Sequence, residues 1–154
     1  MHPSRIALAA IFTVIFATMT LGGSRLLAQA ATPTITARFL PSRIARGGAG
    51  KLEIEFLGLT GGLQIKTKGT ALTAAAPKGV TVGAFVEPPS KSFKDAFGKP
   101  YTAYEPAPIF RAPVTVEQGA KAGRYRFRVD IEYTGCTEFA CLAPQKMIRT
   151  LDLV

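Results

Sequence analysis

Along most of the chain, apolar and polar residues alternate one for one, the period of a strand with one buried face and one wet face. The clearest run is Tyr125, Phe127, Val129, Ile131 and Tyr133, interleaved with Arg124, Arg126, Arg128, Asp130 and Glu132. Ile35, Ala37 and Phe39 alternate with Thr and Arg, and Leu52, Ile54 and Phe56 alternate with Lys51, Glu53 and Glu55. Shorter sets follow at Val80, Val82 and Ala84 and, after Pro113, at Val114 and Val116; a last strand is predicted over Lys146 to Val154. Gly and Pro punctuate these runs at Gly47-Gly48, Gly61-Gly62, Pro77-Lys-Gly79 and Gly119 to Gly123. Past the first thirty residues no segment keeps a 3.6-residue period, and Ala71 to Ala76 is too short and Thr-rich for a good helix. About six or seven short strands with turns at this spacing predict an all-β fold, an immunoglobulin-like antiparallel β-sandwich. It is no antibody-type domain, because it has no tryptophan and its two cysteines stand close together rather than on distant strands.

The first segment follows another pattern. A short basic start ending at Arg5 leads into an uncharged apolar run from Ile6 to Gly23, and small residues at Ala28 and Ala30 then make an A-x-A site. Charge, apolar core and small-residue site in that order predict a signal peptide over residues 1–30, cleaved after Ala30, and an exported domain over residues 31–154. An uncleaved membrane anchor is the alternative, since the run approaches the length that spans a bilayer. No cysteine stands near the cleavage site, which argues against a lipid anchor. In a bacterial cell the expected location is the periplasm.

Cleavage changes the chemistry available. It removes His2, the sole histidine, so the exported part has no His base, no His metal ligand and no haem-attachment histidine. Two thiols cannot close a structural zinc site, so neither a metal nor a small-molecule cofactor is expected. Removing Arg5 and Arg25 takes the basic count from 19 to 17 against 10 acidic residues, a formal charge of +7 rather than +9. Nucleic acid is a poor partner for an exported domain without a basic cluster among stacking aromatics. The row Arg124, Arg126, Arg128 reads more simply as the wet face of a strand than as a docking stripe. A monomer is expected.

One stretch breaks the alternation. From Glu87 to Pro108 there are prolines at 88, 89, 100, 106 and 108, yet also Phe93, Phe97, Tyr101 and Tyr104. A long connection in a compact domain is usually functional, and four aromatics need a surface to pack on.

The remaining candidate chemistry is Cys136 and Cys141, in the phrase Tyr133-Thr-Gly-Cys136-Thr-Glu-Phe-Ala-Cys141-Leu-Ala-Pro144. It lies between the strongest strand and the last one, which puts both cysteines at a hairpin tip, close enough to be bridged in an oxidising compartment. A structural staple is one reading. Chain entropy gives so small a ring only about 2 kcal/mol, and it ties residues that the hairpin already holds. An exposed tip also favours exchange, because an attacking thiolate needs in-line access to a sulfur. On these residues alone, staple and exchange centre both stand.

The phrase Tyr-x-Gly-Cys-x4-Cys-x-x-Pro closing an exported β-rich domain resembles the amino-terminal periplasmic domain of the DsbD family of thiol:disulfide interchange proteins. Pro77-Lys-Gly-Val80, Pro88-Pro89, Phe97-Gly-Lys99, Tyr104, Ala112-Pro-Val114 and Gly123 occur in the order that domain leads one to expect. The resemblance implies an immunoglobulin-like domain that takes electrons from a thioredoxin-like domain, itself supplied through a membrane segment. It implies delivery to periplasmic disulfide isomerases or cytochrome c maturation thioredoxins. By the same carry-over Cys141 forms the mixed disulfide with partners and Cys136 resolves it. A cap loop with an aromatic shields the pair, with Phe97 the first candidate for the shield and Phe93 the second, and Asp95 the acidic residue that modulates the thiol. The chain departs from the family in three ways: four residues rather than five between the cysteines, no tyrosine pair around Leu63-Gln-Ile-Lys66, and an end at Val154 without membrane or thioredoxin domains. A membrane electron-transfer protein and thioredoxin-like partners are therefore expected in trans. Two other functions compete: a non-catalytic immunoglobulin-like binding module with a structural hairpin disulfide, and an accessory factor that holds client thiols during cytochrome c or metal-centre assembly.

Overall fold

Buried faces of alternating strands need a second sheet to close on, and the chain supplies one. A computed structural model describes residues 32–154; the signal peptide predicted over residues 1–30 lies outside them. The strands in chain order are β1 (Thr34–Leu40), β2 (Ala49–Leu57), β3 (Gln64–Ile65), β4 (Ala71–Ala75), β5 (Val80–Val82), β6 (Ser90–Lys94), β7 (Pro100–Tyr104), β8 (Ile109–Val116), β9 (Tyr125–Tyr133), β10 (Gly135–Cys136) and β11 (Gln145–Leu153). One sheet has the order β1-β2-β8-β5 and the facing sheet β11-β9-β4, all pairs antiparallel. The architecture is an immunoglobulin-like antiparallel β-sandwich. No helix among the described residues is long and apolar enough to cross a membrane.

The alternation reads out directly as the core. Leu52, Ile54 and Phe56 of β2, Phe110, Ala112 and Val114 of β8, and Phe127, Val129 and Ile131 of β9 are all buried. Aromatic rings join the two sheets: Phe39 meets Phe127 at 4.7 Å between centroids, and Phe56 meets Tyr133 edge-on at 5.3 Å. The Arg row on β9 is the wet face that the pattern predicts. Arg124 and Arg126 pair with Asp152 across the β9–β11 ladder, and Arg128 pairs with Asp130.

Three segments differ from the sequence reading. Ala71–Ala75 is an edge strand on β9, packing Leu72 and Ala74 against the core. Pro113 does not start a strand but lies inside β8, although proline normally avoids central strands. It fits because its carbonyl still accepts the Gly83 N–H at 2.8 Å, and because Gly83 leaves the ring room; a Cβ there would lie 2.7 Å from Pro113 Cγ. The Pro-rich stretch is a β-hairpin, β6 with β7, rather than an irregular loop.

Glu53 is the one buried charged residue among those described, with 6% of its surface exposed. It stands on β2 directly between Arg38 of β1 and Arg111 of β8, its register partners, and accepts from them at 3.1 and 2.7 Å. The Arg111 hydrogen bond, seconded by Arg38, holds its carboxyl below the ordinary 4.5 despite the opposing cost of burial. A depressed folded value means that the pairing stabilises the domain above about pH 4.5, and that this is lost as pH falls through the folded pKa. Glu53→Gln should cost about 1–2 kcal/mol at pH 7, discounted because both arginines stay half exposed. The deficit should shrink toward pH 3 in urea melts compared between the two proteins.

Candidate functional site

The strand β9 carries the core alternation up to Tyr133, and β11 resumes opposite it at Gln145, so residues 134–144 form the connection at one end of the sandwich. Within it Gly135 and Cys136 add to β3, with Cys136 opposite Gln64. Glycine at 135 lets Leu63 pack close, since a Cβ would come within 2.9 Å of Leu63 Cδ1 and the leucine would have to move. The chain then turns tightly: the Thr137 N–H donates to the Ala140 carbonyl at 2.8 Å, and the Leu142 N–H donates to the Gly135 carbonyl at 2.8 Å. These bonds bring Cys141 back against Cys136, and the two form a disulfide with Cα atoms 3.9 Å apart. The pair is asymmetric. Cys136 is fully buried, while Cys141 is exposed.

The β6–β7 hairpin is fastened to the same end. Lys66, just past β3, bridges to Ala103 of β7, so β10, β3, β7 and β6 lie side by side as one small platform. The hairpin tip also touches the cysteine turn directly, because the Ala96 N–H donates to the Glu138 carbonyl at 2.7 Å. Tyr101 donates its hydroxyl to Gln64 Oε1 at 3.0 Å, beside the register position of Cys136. Desolvation raises its pKa first, and the charges of Asp95 on the hairpin tip and Glu138 on the cysteine turn raise it further.

The predicted cap-loop residues fall in one hairpin but in different roles. Asp95 organises the turn: its Oδ1 accepts the N–H of Phe97 at 3.0 Å and of Lys99 at 2.9 Å. Phe93 is half buried and stacks on Tyr101 at 5.8 Å. Phe97, the first candidate for the shield, does not cover the sulfurs here; it is 91% exposed. The side chain follows an Asp-anchored turn whose geometry directs it outward, which the sequence could not reveal. The sequence reading set Tyr101 within the stretch that caps the pair but gave it no role, and it missed Glu138 as the clasp and Phe139, which is 75% exposed between the cysteines. For Phe139 a signal existed: a large aromatic in a four-residue turn has little core to enter.

Among the described residues no group of three or more Cys, His, Asp or Glu is arranged to hold a metal. A concavity of about 630 Å³ lies under Pro88, Pro89, Pro106 and Pro108, but no cysteine lines it. The chemistry available is that of a disulfide with one exposed cysteine, on a turn at the end of the sandwich.

A family model described as "Thiol:disulfide interchange protein DsbD, N-terminal" matches residues 62–153. Among solved structures, the Neisseria meningitidis DsbD n-terminal domain in the reduced form is 14% identical, with a TM-score of 0.42 over 76% of this chain and 83% of that one. The N-terminal periplasmic domain of ScsB from Proteus mirabilis is 13% identical, with a TM-score of 0.46 over 77% of this chain and 44% of that one. The GAE domain of yeast GGA1 is 15% identical, with a TM-score of 0.45 over 83% of this chain and 96% of that one. No curated protein sequence matches the chain.

Proposed function

Because the chain belongs to the family of the N-terminal domain of the thiol:disulfide interchange protein DsbD, we propose that it is a periplasmic exchange domain that passes reducing equivalents between thioredoxin-like proteins through Cys136 and Cys141. The observation that carries this is the asymmetry of the disulfide: one sulfur-bearing residue buried, the other exposed at the end of the domain. An entering thiolate needs in-line access to one sulfur only.

Cys141 is the residue attacked. A partner thiolate forms a bond to its Sγ as the Cys136–Cys141 bond breaks, and Cys136 leaves as a thiolate that takes up a proton. The partner's second thiolate then attacks the partner sulfur of the mixed disulfide and releases Cys141, which is protonated in turn. Two electrons and two protons have passed from partner to domain, and the partner is left as a disulfide. Onward delivery runs in reverse: the Cys141 thiolate attacks an oxidised partner and Cys136 resolves the intermediate. Candidate recipients are isomerases and cytochrome c maturation thioredoxins; the candidate source is a thioredoxin-like domain fed by a membrane electron-transfer protein. In this role the chain is a component of a protein-disulfide reductase system.

A purely structural disulfide fits less well. The turn is already closed by the Thr137–Ala140 and Leu142–Gly135 hydrogen bonds, so the covalent bond adds little order. Mixing the oxidised domain with a reduced thioredoxin and alkylating free thiols tests the proposal. Substantial reduction of Cys136 and Cys141 at equilibrium is expected. A bridge left intact by a donor poised near −270 mV would end the exchange reading.

A further inference from the structure

Two large aromatic rings stand in water at the cysteine end, where a soluble domain gains nothing from exposing them. Phe97 is 91% and Phe139 75% exposed. They are neighbours by construction. Phe97 follows Ala96 and Phe139 follows Glu138, and the backbones of Ala96 and Glu138 are joined by the 2.7 Å hydrogen bond. Phe139 is also two residues from Cys141, no more than about 7 Å between Cα atoms. The two turns that hold them are braced from within, one by Asp95 on the amides of Phe97 and Lys99, the other by Thr137 Oγ1 on the amides of Phe139 and Ala140.

We infer that Phe139 and Phe97 form an aromatic anchor that docks the thiol-bearing partner protein against Cys141. The inference rests on the exchange reading, and the occupant follows from its chemistry. A thiolate can reach Cys141 Sγ only if the surface around it comes into van der Waals range, and Phe139 lies inside that footprint. The charges beside the rings are of both signs, Lys94 and Lys99 against Asp95 and Glu138, so no single-sign field steers the approach. Recognition here is apolar: the partner is a thioredoxin-like protein whose reactive cysteine sits in an uncharged, apolar surface. Rigid aromatic side chains on braced turns lose little entropy when covered, which suits them to this task. This gives Phe97 a role opposite to a shield, because it faces the partner rather than the sulfurs.

The test compares a protein donor with a small one. Reduction of the oxidised domain is followed with reduced thioredoxin and, separately, with dithiothreitol, for wild type, Phe139→Ala, Phe139→Leu and Phe97→Ala. Loss of an anchoring aromatic should slow thioredoxin about tenfold. The dithiothreitol rate should stay within about twofold, the melting temperature should not move, and Phe139→Leu should retain part of the rate. Since the contact is apolar, the thioredoxin rate should change little between low and high salt. Unchanged thioredoxin rates in the alanine variants would overturn the anchor. So would acceleration with both reductants, which would mean that the rings shield the disulfide after all. A wild-type domain that thioredoxin fails to reduce would sink the exchange reading and the anchor together, whereas a reactive wild type with indifferent variants sinks the anchor alone.

Discussion

With Cys136 replaced by serine, the domain should trap an oxidised partner as a mixed disulfide on Cys141 and cease to turn over. The buried sulfur is the one whose attack on Cys141 Sγ frees the partner, and among the described residues no other thiol can take that part. Cys141→Ser leaves only Cys136, which is fully buried beside Gly135 and opposite Gln64. It should form adducts far more slowly, by about 100-fold or more, since an enclosed thiol is reached only when the turn opens. Non-reducing electrophoresis reads the difference, with a partner that lacks its own resolving cysteine and whose remaining cysteine is supplied as a mixed disulfide with glutathione, so that glutathione leaves as the thiol when the adduct forms. Preferential trapping through Cys136 would reverse the roles and show that the turn rearranges before reaction.

Phe56→Ala should be the most damaging single change to the fold. Phe56 lies on β2 with no surface exposed, against Phe110 at 5.8 Å and across the sandwich against Tyr133 at 5.3 Å. Truncating a fully buried Phe costs about 3–5 kcal/mol, a large part of what a domain of this size has in hand. The melting temperature should fall by about 10 °C or more. Because Tyr133 leads straight into Thr134-Gly135-Cys136, the cavity also undermines the strand that places the buried sulfur. Replacing both cysteines by serine should cost less, about 2 kcal/mol, as a short ring gives. If the double serine variant proved the less stable of the two, the disulfide would be a staple after all.

The two principal sheets were legible because each of their long strands has one face in the core and one in water. β9 shows this fully: Phe127, Val129, Ile131 and Tyr133 are buried, and the intervening arginines pair outward. The platform around the site was not legible, for the same reason inverted. β6 is Ser-Lys-Ser-Phe-Lys with only Phe93 half buried, and β7 buries only Ala103 and Tyr104 at its end, so no apolar period marks the hairpin. β3 and β10 are two-residue strands that exist only because the cysteine segment adds to Gln64 and Ile65. β8 was seen only past Pro113, since its accommodation depends on Gly83, thirty positions away in sequence.

At the site, the cysteines announced themselves by phrase and by elimination of every other chemistry. The side-chain directions did not. Whether an aromatic in a turn points at the sulfurs or into water depends on the turn, and the Asp95 carboxylate on two backbone amides sends Phe97 outward. Gln64 shows the converse. No tyrosine stands near it in sequence, yet Tyr101 arrives from β7 to donate its hydroxyl there.

The reduction potential of the Cys136–Cys141 pair tests the central claim most directly, measured by equilibrating the domain with glutathione or a thioredoxin of known potential. An exchange domain must be poised near its partners, between about −270 and −120 mV. A potential below about −300 mV, the range of disulfides kept for structure, would contradict it.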